Sequence, residues 1–255
     1  MRPWKLSEVK YSYVKENPYQ VAILPLGATE PHNLHLPYGT DVFQVEMICD
    51  RICEKAHAQG AKVALLPALP FGVESNLMEF PMPISLNPST LDLVIQDILE
   101  SLETSGIRKV IIMNGHGGNS LKHTLREIYG KTSVFTCLVN WYDVATDIYK
   151  DTFEDPGDHA GEMETSMGLY LFPHLVDLSL ADDGATRKSR FEAINRKWVQ
   201  VTRPFHLVTT NSGVGNPHPA SAEKAEKVVN VIVERMSRFV KELSDAEMDE
   251  LFPYV

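Results

Sequence analysis

Short apolar runs alternate along this chain with longer stretches whose apolar residues recur at a helical period. The runs at 21–26, 62–66, 109–113 and 133–139 predict four strands. The third, Lys109-Val110-Ile111-Ile112-Met113, is almost continuously apolar, as in a parallel sheet covered on both faces. Between them, 41–58 carries Val45, Ile48, Ile52 and Ala56 on one stripe, and Leu91, Val94, Ile98 and Leu102 do the same for a helix over 90–104 capped by Ser89 or Thr90. Gly60 and Gly106 stop these two helices. Further helices are predicted over 120–129, from near Glu162, and over 221–243. Strands alternating with helices predict a parallel sheet covered on both faces. No repeat or linker divides the chain, and the loop-rich 204–219 segment is too short to be a boundary, so residues 1–255 are expected to form one domain.

Composition narrows the functional classes. The 255 residues are 44% hydrophobic and 23% charged, enough for one sizeable core. A net charge of -10 argues against nucleic acid as a partner and leaves a small molecule as the expected one. No apolar run is long enough to cross a membrane, and the first residues lack the apolar core of a signal peptide. The three cysteines, Cys49, Cys53 and Cys137, show no disulfide spacing, so a reduced, cytoplasmic protein is expected.

Chemistry concentrates in three clusters placed after predicted elements. Glu30 to Asp41 packs two carboxylates and two imidazoles directly behind the first strand. Asn114-Gly115-His116-Gly117-Gly118-Asn119 follows the third strand, and Asp158 to Ser166 opens a helix. Each has a bland reading: a glycine turn around His116, helix capping by Asp158 and Glu164, a hydrogen-bonded structural role for His35. Loops after parallel strands converge on one sheet edge, so the three together point to a metal site. Imidazole with carboxylate suits zinc, manganese or iron.

These residues resemble the creatininase (creatinine amidohydrolase) family. Its pattern of Gly-x-x-Glu-x-His, His-Leu-Pro, Asp, an Asn-Gly-His loop and a late His-Ala-Gly-x-x-Glu-Thr-Ser is matched by Gly27 to His32, His35-Leu36-Pro37, Asp41, Asn114 to Asn119 and His159 to Ser166. Gly213 to Pro217 resembles a further family element. The resemblance implies a three-layer α/β/α sandwich around a mainly parallel sheet and a dinuclear hydrolase: Glu30 and His116 on one divalent ion, His32 on the other, Asp41 bridging both. Creatininase has a glutamate at the position of Gly118, so Glu164 is the candidate to replace it. His159 would be the general acid, oriented by Asp158 in place of the family's glutamate. Tyr142, Gly117 and Gly118 would border the substrate, and the family's hexamers imply a homo-oligomer.

Departures from the pattern point away from creatinine itself. Asp155 and Tyr142 stand where creatininase has tryptophans, and Phe80-Pro81-Met82-Pro83 replaces Phe-Pro-Gly-Thr, with Met78 and Met82 expected to form an apolar wall. The function expected is hydrolysis of a non-peptide C–N bond, in a cyclic amide or formamide. The alternatives are a non-catalytic small-molecule binder and a peptide-trimming metallohydrolase.

Overall fold

A computed structural model describes residues 1–255. Four parallel strands lie in the order β2-β1-β3-β4: β1 Val21–Leu26, β2 Val63–Leu65, β3 Lys109–Asn114 and β4 Phe135–Asn140. The larger helices are α1 Thr40–Ala58, α2 Pro88–Thr104, α3 Lys122–Ile128, α4 Glu162–Leu171 and α5 Ala222–Asp245. Every residue of β1 and β3 is buried, as their apolar composition requires of central strands.

Alternate residues of the central strands feed two cores. Val21, Ile23, Ile111 and Met113 join the larger one with α1, α4 and α5, where Cys49 and Cys53 are buried as small hydrophobes. Ala22, Leu24, Val110 and Ile112 face the smaller one, closed by Leu91, Ile95 and Leu99 of α2 and Ile128 of α3. The sheet is thus the middle of an α/β/α sandwich. Pro25 lies inside β1, yet β2 has already ended at Leu65, so its missing N–H costs no ladder bond on that side.

Boundaries moved by at most two residues. The second long helix begins at Pro88 rather than at 90, and the amides of Thr90 and Leu91 bond Asn87 O. A proline at the first helical position has φ already set and no amide to leave unpaired, so neither Ser89 nor Thr90 is the cap. At α5 the Ser221 hydroxyl accepts from Lys224 N at 3.4 Å, and the helix continues to Asp245.

Candidate metal centre

β1 and β3 are adjacent, but the chain leaves them toward opposite layers, α1 over the larger core and α3 over the smaller. The crevice at such a switch point is where open α/β sheets place their sites. Glu30 and His32 come from the loop after β1, Asp41 from the start of α1, His116 from the loop after β3, and His159 and Glu164 from the entry to α4. Asp41 and Glu164 both sit in a first helical turn, where the amide dipoles favour an anion.

The acidic oxygens and imidazole nitrogens form interlocking triads. Glu30, Asp41 and His116 present ligand atoms within 4.8 Å of one another, and so do His32, Asp41 and Glu164. Asp41 belongs to both: Oδ1 is 3.0 Å from His32 Nε2 and Oδ2 is 3.0 Å from His116 Nδ1. Glu30 Oε1 is 3.0 Å from His116 Nδ1, and Glu164 Oε2 is 4.0 Å from His32 Nε2. A third triad joins Glu30 and His32 to His159.

Each imidazole spends one nitrogen on a backbone carbonyl and aims the other at the carboxylates. His32 Nδ1 meets Glu30 O at 3.1 Å, His116 Nε2 meets Val73 O at 3.2 Å, and His159 Nε2 meets Pro31 O at 2.9 Å. A carbonyl only accepts, so each of these nitrogens carries the proton and the opposite nitrogen faces the acids, the usual arrangement of metal-binding histidines. Asn114 secures the His116 loop by donating to His116 O at 2.8 Å, and Asn119 donates to Asn114 Oδ1 at 3.1 Å. Backbone strain gathers here too: Asn33 and Ala160, directly after two of the histidines, have φ of 53° and 50°.

The donor set fits divalent cations. Glu30 Oε2 is buried without a hydrogen-bond partner, and Glu30 Oε1 and Asp41 Oδ2 share the one His116 Nδ1 at 3.0 Å. Without ions, protons take the place of the missing charge. Burial alone would lower His32, but Asp41 outweighs it and holds the imidazole up at about 10. His116 is likewise raised against its burial, by Glu30 and Asp41. Burial raises Glu164, whereas Glu30 and Asp41 stay below the usual carboxylate range because the histidines overcome theirs.

A cavity of about 190 Å³ opens onto these groups. Gly117 and Gly118 border it, and so do His159 and Asp158. Asp158 turns away from His159 and pairs with Arg203, so the oxygen holding the His159 ring is Pro31 O. Tyr142 is not on the cavity wall; it stacks edge-on against the fully buried Trp141, and burial pushes its phenol up. The expected methionine wall is absent: Met78 and Met82 are 53% and 76% exposed. Successive turns, Leu77 N to Glu74 O and Phe80 N to Leu77 O, swing Leu77 inward instead. His35 bonds Thr165 Oγ1 at 2.8 Å, the structural role open to it.

Four residues near the site escaped the sequence reading: Asn76, Arg203 and Phe205 on the wall, and Glu74, whose carboxylate lies 3.8 Å from His116 Nε2. Burial raises Glu74 to about 8, with His116 opposing. A lone acid in the otherwise apolar Phe71-Gly72-Val73-Glu74 run of the loop after β2 was the available signal.

Gly118 is compelled by packing. A Cβ there would stand 2.2 Å from His116 Nε2 and 2.4 Å from Val73 O, so the His116–Val73 bond excludes any side chain.

Known proteins share this architecture. A Bacteroides fragilis NCTC 9343 structure with a provisional creatinine amidohydrolase designation superposes with a TM-score of 0.91 at 37% identity, over 98% of this chain and all of its own. A manganese form of creatininase gives 0.78 at 25% identity, over 95% of this chain and 99% of that one. Creatinine amidohydrolase of Pseudomonas putida is 28% identical, over 87% of this chain and 89% of that protein. The 3-dehydro-scyllo-inosose hydrolase of Thermotoga maritima is 25% identical over 88% and 77%. A mycofactocin precursor peptide peptidase of Mycobacterium tuberculosis is 26% identical over 86% and 83%. The family model for creatininase, described as creatinine amidohydrolase, matches residues 7–240, and the chain belongs to that family.

Proposed function

We propose that this chain is a metal-dependent amidohydrolase that cleaves a C–N bond of a small polar molecule at a dinuclear centre. The observation that carries the reading is the sharing of Asp41 between two donor triads, one oxygen toward each. Glu30, Asp41 and His116 would hold one ion and His32, Asp41 and Glu164 the other. Zinc or manganese suits such a mixed set, and both metals are named among creatininase structures. A pair of divalent ions supplies a water acidic enough to attack at neutral pH and an electrophile for the carbonyl.

The remaining roles belong to the chain itself. His159 lines the cavity with Nδ1 directed at Glu30, 3.7 Å away, and Nε2–H fixed on Pro31 O. A second proton on the ring would therefore sit on Nδ1, facing the reaction, where it serves the leaving nitrogen. Arg203 stands over the Phe205 ring at 5.0 Å and pairs with Asp158, giving the mouth both signs of charge. This wall favours a cyclic amide or formamide bearing a charged group over the compact creatinine ring. A cavity of about 190 Å³ also favours a small molecule over a peptide. We take the protein to work as one domain, in the cytoplasm, as a homo-oligomer; its three cysteines are unpaired, and two are buried.

Metal content per chain after growth in metal-supplemented medium tests the centre. Two ions in the wild type, falling to one in Glu164→Ala, are expected. One ion or none in both proteins would replace the dinuclear reading with a mononuclear enzyme or a binding protein. His159→Ala is expected to keep its metal and lose turnover on cyclic amides and formamides. Loss of metal in that variant would make His159 a ligand through the Glu30–His32–His159 triad.

A further inference from the structure

Glu74 has no part in the donor triads, yet it is among the most expensive side chains in the molecule to keep where it is. It is fully buried. Oε1 accepts from Gly72 N at 3.1 Å, and Oε2 has no hydrogen-bond partner. An acid held by one backbone amide in a dry interior is poorly compensated, and an apolar side chain of the same length would fill the space at less cost. The position is nevertheless closely fitted, because a Cβ on Gly72 would lie 2.8 Å from Oε1.

The basic group within ion-pairing reach is His116, with Nε2 3.8 Å from Oε1. Its ring therefore stands between two acidic surfaces: Glu30 and Asp41, each 3.0 Å from Nδ1, and Glu74 behind Nε2 beside the Val73 carbonyl. Gly118 leaves the Nε2 side clear, since a side chain there would displace the ring. We propose that Glu74 is a positioning residue for metal binding at His116, its carboxylate acting with Val73 O to hold the ring with the Nδ1 lone pair toward Glu30 and Asp41 and to make that nitrogen a stronger donor. The inference rests on the dinuclear reading above. Two divalent ions would bring four positive charges against three negative ones from Glu30, Asp41 and Glu164, a balance that favours the ionised form of Glu74 behind them without asking it for a coordination position. Carboxylates that accept from the far nitrogen of a metal-binding histidine have this effect; here Val73 O takes the hydrogen bond and Glu74 adds its charge from 3.8 Å.

The test separates charge from packing. Glu74→Gln keeps the length and the acceptor for the Gly72 amide but deletes the charge, while Glu74→Ala deletes all three. Stepwise Zn²⁺ binding is measured by competition with a chromogenic chelator, alongside thermal unfolding of the metal-free proteins. In Glu74→Gln one of the two sites is expected to weaken about 10- to 100-fold. The other keeps its wild-type affinity, and the metal-free Tm is unchanged or higher because an unpaired buried acid has gone. Glu74→Ala is expected to weaken the same site at least as much. Wild-type affinity at both sites in Glu74→Gln would overturn the proposal. Equal losses at both sites with a lower metal-free Tm would also overturn it, as the mark of a packing residue. A wild type that binds no divalent ion would bring down the dinuclear reading itself, an outcome distinct from a tight wild type with an unaltered Glu74→Gln.

Discussion

In the proposed centre both donor triads share Asp41, whose two oxygens point to different histidines. Asp41→Asn removes the shared charge, so metal content by mass spectrometry is expected to fall to near zero; two ions per chain in that variant would sink the bridging role. The protonation of the metal-free site leads to a second expectation. His32 is held at about 10 and His116 above its ordinary value, so both carry a proton at pH 7 that a metal must displace. Raised histidines stabilise the metal-free fold fully below their unfolded value near 6.5 and cease to do so as pH climbs through the folded value. Metal affinity should therefore fall as pH is lowered, with about two protons released per chain on loading at pH 7. Calorimetry in two buffers of different ionisation enthalpy measures the release, and none at all would contradict the electrostatics. The histidines were legible in the sequence because they sit in compact motifs. The pairing of Asp158 with His159 was read from adjacency, and the structure does not keep it: His159 makes a single bridge to Val214 between two bends and sends Nε2 to Pro31 O. Arg203 takes Asp158, and it comes from a stretch with no pattern to mark it.

Among the elements, the helical stripes and apolar strands were plain because burial imposes their period. Less plain was what ties one element to another. Lys109, at the start of β3, is buried and sends Nζ to the carbonyls of Leu243 at 2.8 Å and Ala246 at 2.7 Å, closing the C-terminal end of α5. In the sequence it looks like the polar edge of a strand. Lys109→Met keeps the apolar stem and leaves those carbonyls unpaired, which should cost about 1–3 kcal/mol. A lower urea midpoint with an unchanged slope would show it, and a midpoint equal to the wild type would demote the contact to an ornament of packing.

At the scale of the molecule, alternation of strands and helices made the layered α/β/α architecture readable, whereas the order β2-β1-β3-β4 was not, because it depends on which way each connection crosses. That order is what gathers ligands from residues 30 to 164 into one crevice. Ions bound there would tie the loops after β1 and β3 to the entry of α4, and they would bind the folded chain alone. At a free concentration one hundred times Kd, each site adds about 2.7 kcal/mol. Thermal unfolding with and without a chelator should differ by several degrees, and superimposable curves would exclude a linked metal site.

The fit of Gly118 against His116 also bears on how such sites change over generations. A glutamate at that position, as creatininase has, cannot appear here by one substitution, since its first carbon would collide with the imidazole ring and with Val73 O. The segment carrying Val73 and Glu74 must retreat first, and a chain that has retreated without the new glutamate has loosened His116 for no return. In the proposed centre, passage between the two arrangements therefore requires paired changes, one at position 118 and one in the segment packed behind His116.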